Sequence, residues 1–304
     1  MRPPTGSRRT GLALSLGAAL FFAVGIIFSK ELTDGDLAVP LILGIRFSIA
    51  AAILLTIAGL QGQLRMSRRQ FAALVVLGAV GYGGEAGLYF LGLERGSATA
   101  VTLIFYAYPA IVAAAAVLRG REQLGLTSIA ALAATSFGIV LLLLPGGGVE
   151  ITAAGVLFSL GAALVFSGYL IFGEDIVSAS PALAGAATTV LGAAIFHMTI
   201  SAAGGLIEAP SSSEVGNLLA VSLCTAAAFI GLVGGLRLLG ALESALVLTI
   251  EPLAAAVLAA IFLDEVVSPV QAVGGAFVLA GVGLRTFSRP AVEPVEVLEE
   301  AAPL

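Results

Sequence analysis

Ten runs of about twenty predominantly apolar residues fill most of this chain. They lie at residues 11–29, 38–60, 71–92, 97–118, 124–144, 152–173, 181–206, 216–236, 243–263 and 268–287. A helix needs roughly 20 apolar residues to cross a hydrocarbon core of about 30 Å. Each run is therefore long enough to span a bilayer. The connections are short and rich in turn-formers and charge: TDGD, QGQLRMSRR, LPGGG, SASP and APSSSE. Charged residues make up only 11% of the 304 positions, against about 25% in a soluble domain, too few to cover a fold in water. A transmembrane barrel is excluded, because barrel strands alternate apolar and polar residues and these runs are continuous. The predicted fold class is all-α integral membrane, with ten transmembrane helices. Residues 1–10 form an N-terminal segment. The acidic, proline-containing tail at 290–304 is predicted to be disordered.

The rare residue types narrow the chemistry. Cys224 is the single cysteine and His197 the single histidine. An internal disulfide and a His/Cys metal cluster are thus both excluded. No Walker loop is present, so ATP hydrolysis is not expected. An intramembrane enzyme needs a nucleophile and base or a metal cluster, and His197 has no recognisable partner motif. The sequence implies no cofactor, no metal and no nucleic-acid partner. A small-molecule substrate and membrane lipid are the partners it implies, and a homodimer is compatible with it.

Lysine and arginine near helix ends set orientation. With a cytoplasmic N-terminus, the inner segments hold Arg2, Arg8, Arg9, Arg65, Arg68, Arg69, Arg119, Arg121, Arg237, Arg285 and Arg289. The outer segments hold only Lys30 and Arg95, and Arg46 lies within a span. Both termini are therefore predicted to be cytoplasmic, in the inner membrane of a bacterium. SRRTGL before the first apolar run also reads as a secretion signal. The repeat described next argues against that, since a cleaved segment has no reason to recur.

SLGAALFF at 15–22 returns as SLGAALVF at 159–166. Laying 15–30 on 159–174 matches nine of sixteen positions. A shift of 143 lays Ala98 on Ala241, Pro109 on Pro252, Glu122 on Glu265 and Gly138 on Gly281. The two shifts differ by one residue. The chain is read as a duplicated five-helix unit, 11–150 and 151–289. A unit with an odd number of crossings ends opposite to where it began, so the second copy enters the membrane inverted. Inverted repeats are the architecture of many secondary transporters and supply alternating access.

GIRFSIAAAILL around Arg46, GLYFLGLERGSATAVTLIFYAYPAIVAAAAVLRGRE through Glu122, and ALESALVLTIEPLAAAVLAAIFLDEVVSPVQAVGGAFVLAGVGL at 241–284 resemble the drug/metabolite transporter superfamily, specifically its EamA-type members. The resemblance covers about residues 11–287. It places arginine in the second helix (Arg46), proline in the fourth (Pro109), Glu-Pro in the ninth (Glu251 and Pro252), and glutamate after the fourth and ninth (Glu122, Glu265). It implies a secondary transporter that exports amino acids or related metabolites by alternating access, with proton coupling left open. A passive facilitator or channel is the alternative. The chain departs from aromatic-caged cation exporters of the superfamily in having no tryptophan and only 7% aromatic residues.

A charge at mid-bilayer costs about 2.5–3.5 kcal/mol on insertion scales, so each one needs a reason. Counted along the helices, Arg46 and Glu85 fall at similar depths from the outer face, which suggests an ion pair; Glu85 lining a cavity is the other reading. Tyr82, Glu85 and Tyr89 share one helix face, as either a binding wall or close packing. Tyr106 and Tyr108 precede Pro109, and Glu251 precedes Pro252. A mid-helix proline frees backbone groups and kinks the helix, a usual way to build a polar membrane site. Tyr106, Tyr108 and Glu251 are thus further cavity candidates. His197 is either a proton relay or a hydrogen-bonded structural residue.

Overall fold

A computed structural model of the chain describes residues 5–33, 35, 37–121, 125–144, 150–262 and 267–288. Glu122, Glu265 and the tail 290–304 lie outside these residues. The helices are α1 (Thr5–Thr33), α2 (Val39–Leu60), α3 (Arg68–Val76), α4 (Gly84–Leu93), α5 (Ala98–Phe105), α6 (Tyr108–Leu118) and α7 (Leu126–Leu143). They continue as α8 (Ala153–Ser178), α9 (Ala182–Ala203), α10 (Ser212–Leu239), α11 (Ala241–Leu248), α12 (Ile250–Phe262) and α13 (Pro269–Ser288). A π-helical turn, Leu77–Gly83, joins α3 to α4. Among the described residues there is no strand, only one isolated bridge between Gly96 and Ile151.

Nine helical stretches of the described residues are long and apolar enough to cross a membrane: Arg8–Ser29, Val39–Leu60, Arg68–Leu93, Ala98–Leu118, Leu126–Leu143, Ala153–Ser178, Ala182–Ala203, Ser212–Leu239 and Ala241–Phe262. The last of the ten apolar runs forms α13, also helical over 20 residues. It carries Gln271, Arg285 and four glycines.

Helix starts follow local chemistry. Ser67 with Gln70, and Ser211 with Glu214, form capping boxes at the starts of α3 and α10, each satisfying amide groups that have no partner within the helix. Pro109 and Pro252 do more than kink their helices. The fourth span breaks at Tyr106 and Ala107 and restarts as α6, and the ninth breaks at Thr249 and restarts as α12. Each proline sits in the first turn after its break, where no amide hydrogen is needed.

Small residues bring the helices together, as expected where lipid removes most of the hydrophobic drive for association. The repeated phrase provides one such contact in each copy. Ser15 of α1 lies directly against Gly235 of α10, and Ser159 of α8 lies against Gly92 of α4, with its Oγ 2.9 Å from where a β-carbon on that glycine would stand. In each copy, then, the phrase packs against the third span of the other copy. A second reciprocal pair joins α7 and α13. A β-carbon on Gly138 would lie 2.6 Å from Gly274 O, and one on Gly281 would lie 2.8 Å from Ala131 O. Further along, Arg285 donates to Ser128 Oγ at 2.6 Å and Gln271 donates to Leu142 O at 3.3 Å. Rising numbers on α7 meet falling numbers on α13, so these two helices run antiparallel.

Candidate functional site

The centre of the bundle is aromatic, and Tyr82 is its hub. Its ring lies 4.6 Å from Phe229, 5.7 Å from Phe47, 5.8 Å from Tyr169, and 6.3 Å from both Phe22 and Phe166. Phe166 continues the network to Tyr108 at 4.9 Å and Phe105 at 5.7 Å. Phe105 then reaches Tyr89 at 5.4 Å and Tyr106 at 5.6 Å. All five tyrosines of the chain belong to this one network. Their hydroxyls need partners in a dry interior. Tyr89 Oη shares a 2.6 Å hydrogen bond with Thr102 Oγ1, and Tyr108 donates to Ala245 O at 3.2 Å, across the two copies. Tyr169 Oη is buried with no partner among the described residues.

Three charged side chains enter the same region. Arg46 on α2 donates from Nε to Thr225 Oγ1 of α10 at 2.6 Å. Its guanidinium carbon stands 5.4 Å from the Phe47 ring centre, within cation–π range. Glu85, at the start of α4, is 8% exposed, and Glu251, in the first turn of α12, is half-buried. Both carboxyl groups lie within electrostatic reach of Arg46, and Glu85 lies within reach of Glu251. Among the described residues, no hydrogen bond or ion pair engages either carboxylate. The ion pair expected between Arg46 and Glu85 is therefore not formed; the neighbour that Arg46 binds is Thr225. Depth along the helices had put the two charges level, but depth says nothing of the direction in which each side chain leaves its helix.

His197 on α9 is 1% exposed and its Nε2 lies 3.0 Å from Gly83 O. A carbonyl only accepts, so Nε2 carries the hydrogen. Nδ1 is buried with no partner among the described residues. The imidazole lies 5.8 Å from the Phe47 ring and 5.2 Å from Phe196.

The structure thus gathers Tyr82, Glu85, Tyr89, Tyr106, Tyr108, Glu251 and Arg46 in one region, with His197 at its edge. Sequence reasoning missed Thr225, Tyr169, Phe22, Phe166 and Phe229. Two of these had left a signal, since Phe22 and Phe166 are the matched aromatics of the repeated phrase. Thr225 had left none: it is an ordinary hydroxyl in an apolar run.

A second polar cluster lies at one end of the bundle. Arg121 pairs with Asp175 at 2.8 Å and Arg119 pairs with it at 3.2 Å. Glu174 accepts from the Ala241 amide at 3.1 Å, at the start of α11. Arg8 pairs with Glu243, which is buried on the same helix, and also donates to Thr286 O at 3.0 Å. A small cleft of about 80 Å³, partly open to solvent, is lined there by Ala116, Arg119, Arg121, Glu174 and Gly240. It is distinct from the aromatic centre.

The sequence profile described as the EamA-like transporter family matches twice, over residues 9–144 and 153–287. The chain belongs to the EamA-like transporter family. Members of this family, part of the drug/metabolite transporter superfamily, are multi-pass membrane transporters. The two matched segments are the two copies whose helices meet at Tyr82. No curated protein matches the sequence. A solved crystal structure of another protein superposes with a TM-score of 0.79, covering 92% of this EamA-like chain and 97% of its own, at 20% identity. That likeness establishes the fold alone.

Proposed function

We propose that this EamA-like transporter exports amino acids or closely related metabolites across the bacterial inner membrane, by alternating access between two inverted five-span halves. The observation that carries the reading is the charge set at the centre. One guanidinium and two carboxylates, drawn from both copies, stand among tyrosine and phenylalanine rings. No described residue forms a hydrogen bond or ion pair with either carboxylate. Arg46 suits a substrate carboxylate, which a guanidinium binds with fixed geometry. Glu85 and Glu251 suit a substrate ammonium. The rings suit an apolar side chain between them.

The inverted arrangement is supported by the reciprocal contacts. A two-fold relation makes residue i touch j′ wherever j touches i′, which is the pattern of Ser15 with Gly235 and Ser159 with Gly92. The antiparallel course of α7 and α13, equivalent helices in the two copies, agrees with it. With α13 as the tenth span, both termini share one side of the membrane, and the arginine bias makes that side the cytoplasm in this reading. Glu85 and Glu251 are also the groups that would carry a coupling proton.

Counterflow into proteoliposomes tests this directly. Vesicles preloaded with an L-amino acid mixture should take up radiolabelled L-amino acids against their gradient. Repeating the assay with and without an imposed pH gradient reads proton coupling. Entry with no stimulation by preloading would indicate a passive pore, and no entry of any amino acid would reject the cargo.

A further inference from the structure

The third span of the first copy is one residue longer than its counterpart. From the capping serine to the glycine that meets the repeated-phrase serine, it runs Ser67 to Gly92, whereas the second copy runs Ser211 to Gly235. α10 is a continuous α-helix over that stretch. The first copy instead contains the π-helical turn Leu77–Gly83, in which the Gly84 amide donates to Ala79 O, five residues back. A π turn holds one residue more than an α turn, and such turns cluster at functional sites. The extra residue changes the direction in which side chains beyond the turn point, by about 100° in an α-helical frame.

The two copies differ in chemistry where they differ in shape. Beyond the turn the shift of 143 lays Glu85 on Ala228, and before it the shift of 144 that lays Ser67 on Ser211 lays Ile53 on His197. The π turn, the carboxylate and the imidazole thus occur together in one arrangement and are all missing from its counterpart. His197 donates to the carbonyl of Gly83, the last residue of the turn and two before Glu85. The turn also lies tightly on α9, because Gly78 meets the backbone carbonyl of Thr189 and Gly83 approaches Ala193 and Phe196.

We infer that His197 is a positioning residue: its imidazole holds the π turn closed at Gly83 and thereby sets the direction of Glu85 into the central chamber. This rests on the reading that Glu85 helps bind the cargo. A proton relay would need a partner at each ring nitrogen, and none of the described residues meets Nδ1. Glutamine can still donate one hydrogen bond to the carbonyl, whereas leucine cannot.

The test uses the full-length protein with Cys224→Ser. In one arm, Glu85→Cys reports the direction of position 85 through its alkylation rate with N-ethylmaleimide. In the other arm, variants that retain Glu85 are assayed for counterflow with radiolabelled L-amino acids. His197→Leu should change the alkylation rate and lower counterflow, each about fivefold or more, the equivalent of one buried hydrogen bond. His197→Gln should leave both near the parent values. Parent-like behaviour of His197→Leu in the alkylation arm would overturn the inference. So would His197→Gln as impaired as His197→Leu, which would point to a titrating group. If the parent protein carries no amino acid at all, the proposed cargo fails, while the alkylation arm still decides the role of His197.

Discussion

Phe22 and Phe166 hold the same place in the two copies, and each ring centre lies 6.3 Å from that of Tyr82, one stacked and the other edge-on. One tyrosine from the first copy is thus clasped by equivalent rings from both. Truncating it should loosen the joint between the copies. Tyr82→Ala is expected to cost about 3–5 kcal/mol, as large aromatic truncations in packed cores do, and to lower the thermal midpoint in detergent accordingly. Tyr82→Phe, which keeps every ring contact, should retain most of the stability.

The two carboxylates predict an opposite relation between stability and activity. Glu85 and Glu251 are carboxyl groups in one buried region, and no described residue hydrogen-bonds to either. Glu85→Gln or Glu251→Gln removes an ionisable group that is costly to bury, without changing shape. Each variant should purify at parent yield with an unchanged or raised thermal midpoint, yet lose at least about tenfold in amino-acid counterflow, the scale of one charged contact. Parent-level transport by either variant would remove that carboxylate from the binding site.

Arg46 depends on Thr225. Its Nε donates at 2.6 Å to a hydroxyl that itself donates to Val221 O at 2.7 Å. Thr225→Val leaves a buried guanidinium nitrogen without its acceptor, which costs about 1–3 kcal/mol. Thr225→Ser retains the bond. Thermal unfolding of the two variants should separate them by that amount, with the valine variant also weaker in transport.

The polar cluster at the end of the bundle predicts a gate. Arg121 on the first copy and Asp175 on the second meet at 2.8 Å, and both are well exposed. Exposed pairs add only about 0–1 kcal/mol to stability, so Arg121→Asp should barely move the thermal midpoint. If this end must part for cargo to pass, Arg121→Cys with Asp175→Cys, in a Cys224→Ser background, should stop counterflow on oxidation and recover it on reduction. Continued transport by the oxidised, fully cross-linked protein would exclude a gate there.

Much of the architecture was legible in the sequence because bilayer thickness leaves few choices. The apolar runs became helices, and the repeated phrase became a pair of reciprocal helix contacts. The prolines marked where α5 gives way to α6 and α11 to α12. The centre was legible only in part. Rare charged and aromatic residues in apolar runs pointed to Arg46, Glu85, Glu251 and the tyrosines, but the partners of Arg46 and His197 depend on helix rotation, which depth alone does not fix. The one-residue difference between the two shifts was visible from the start. Its local expression as a π turn between Ser67 and Gly92 required knowing that the capping box and the glycine contact are equivalent landmarks.

The central claim is that the two copies face opposite ways around one chamber, and their sidedness tests it most directly. Leu64 and Ile207 are exposed residues, each just after the second span of its copy. Single cysteines at these positions, in a Cys224→Ser background, can be labelled in intact spheroplasts with a membrane-impermeant maleimide. Ile207→Cys should react from outside, and Leu64→Cys only after the membrane is opened. Labelling of both from the same side would contradict the account.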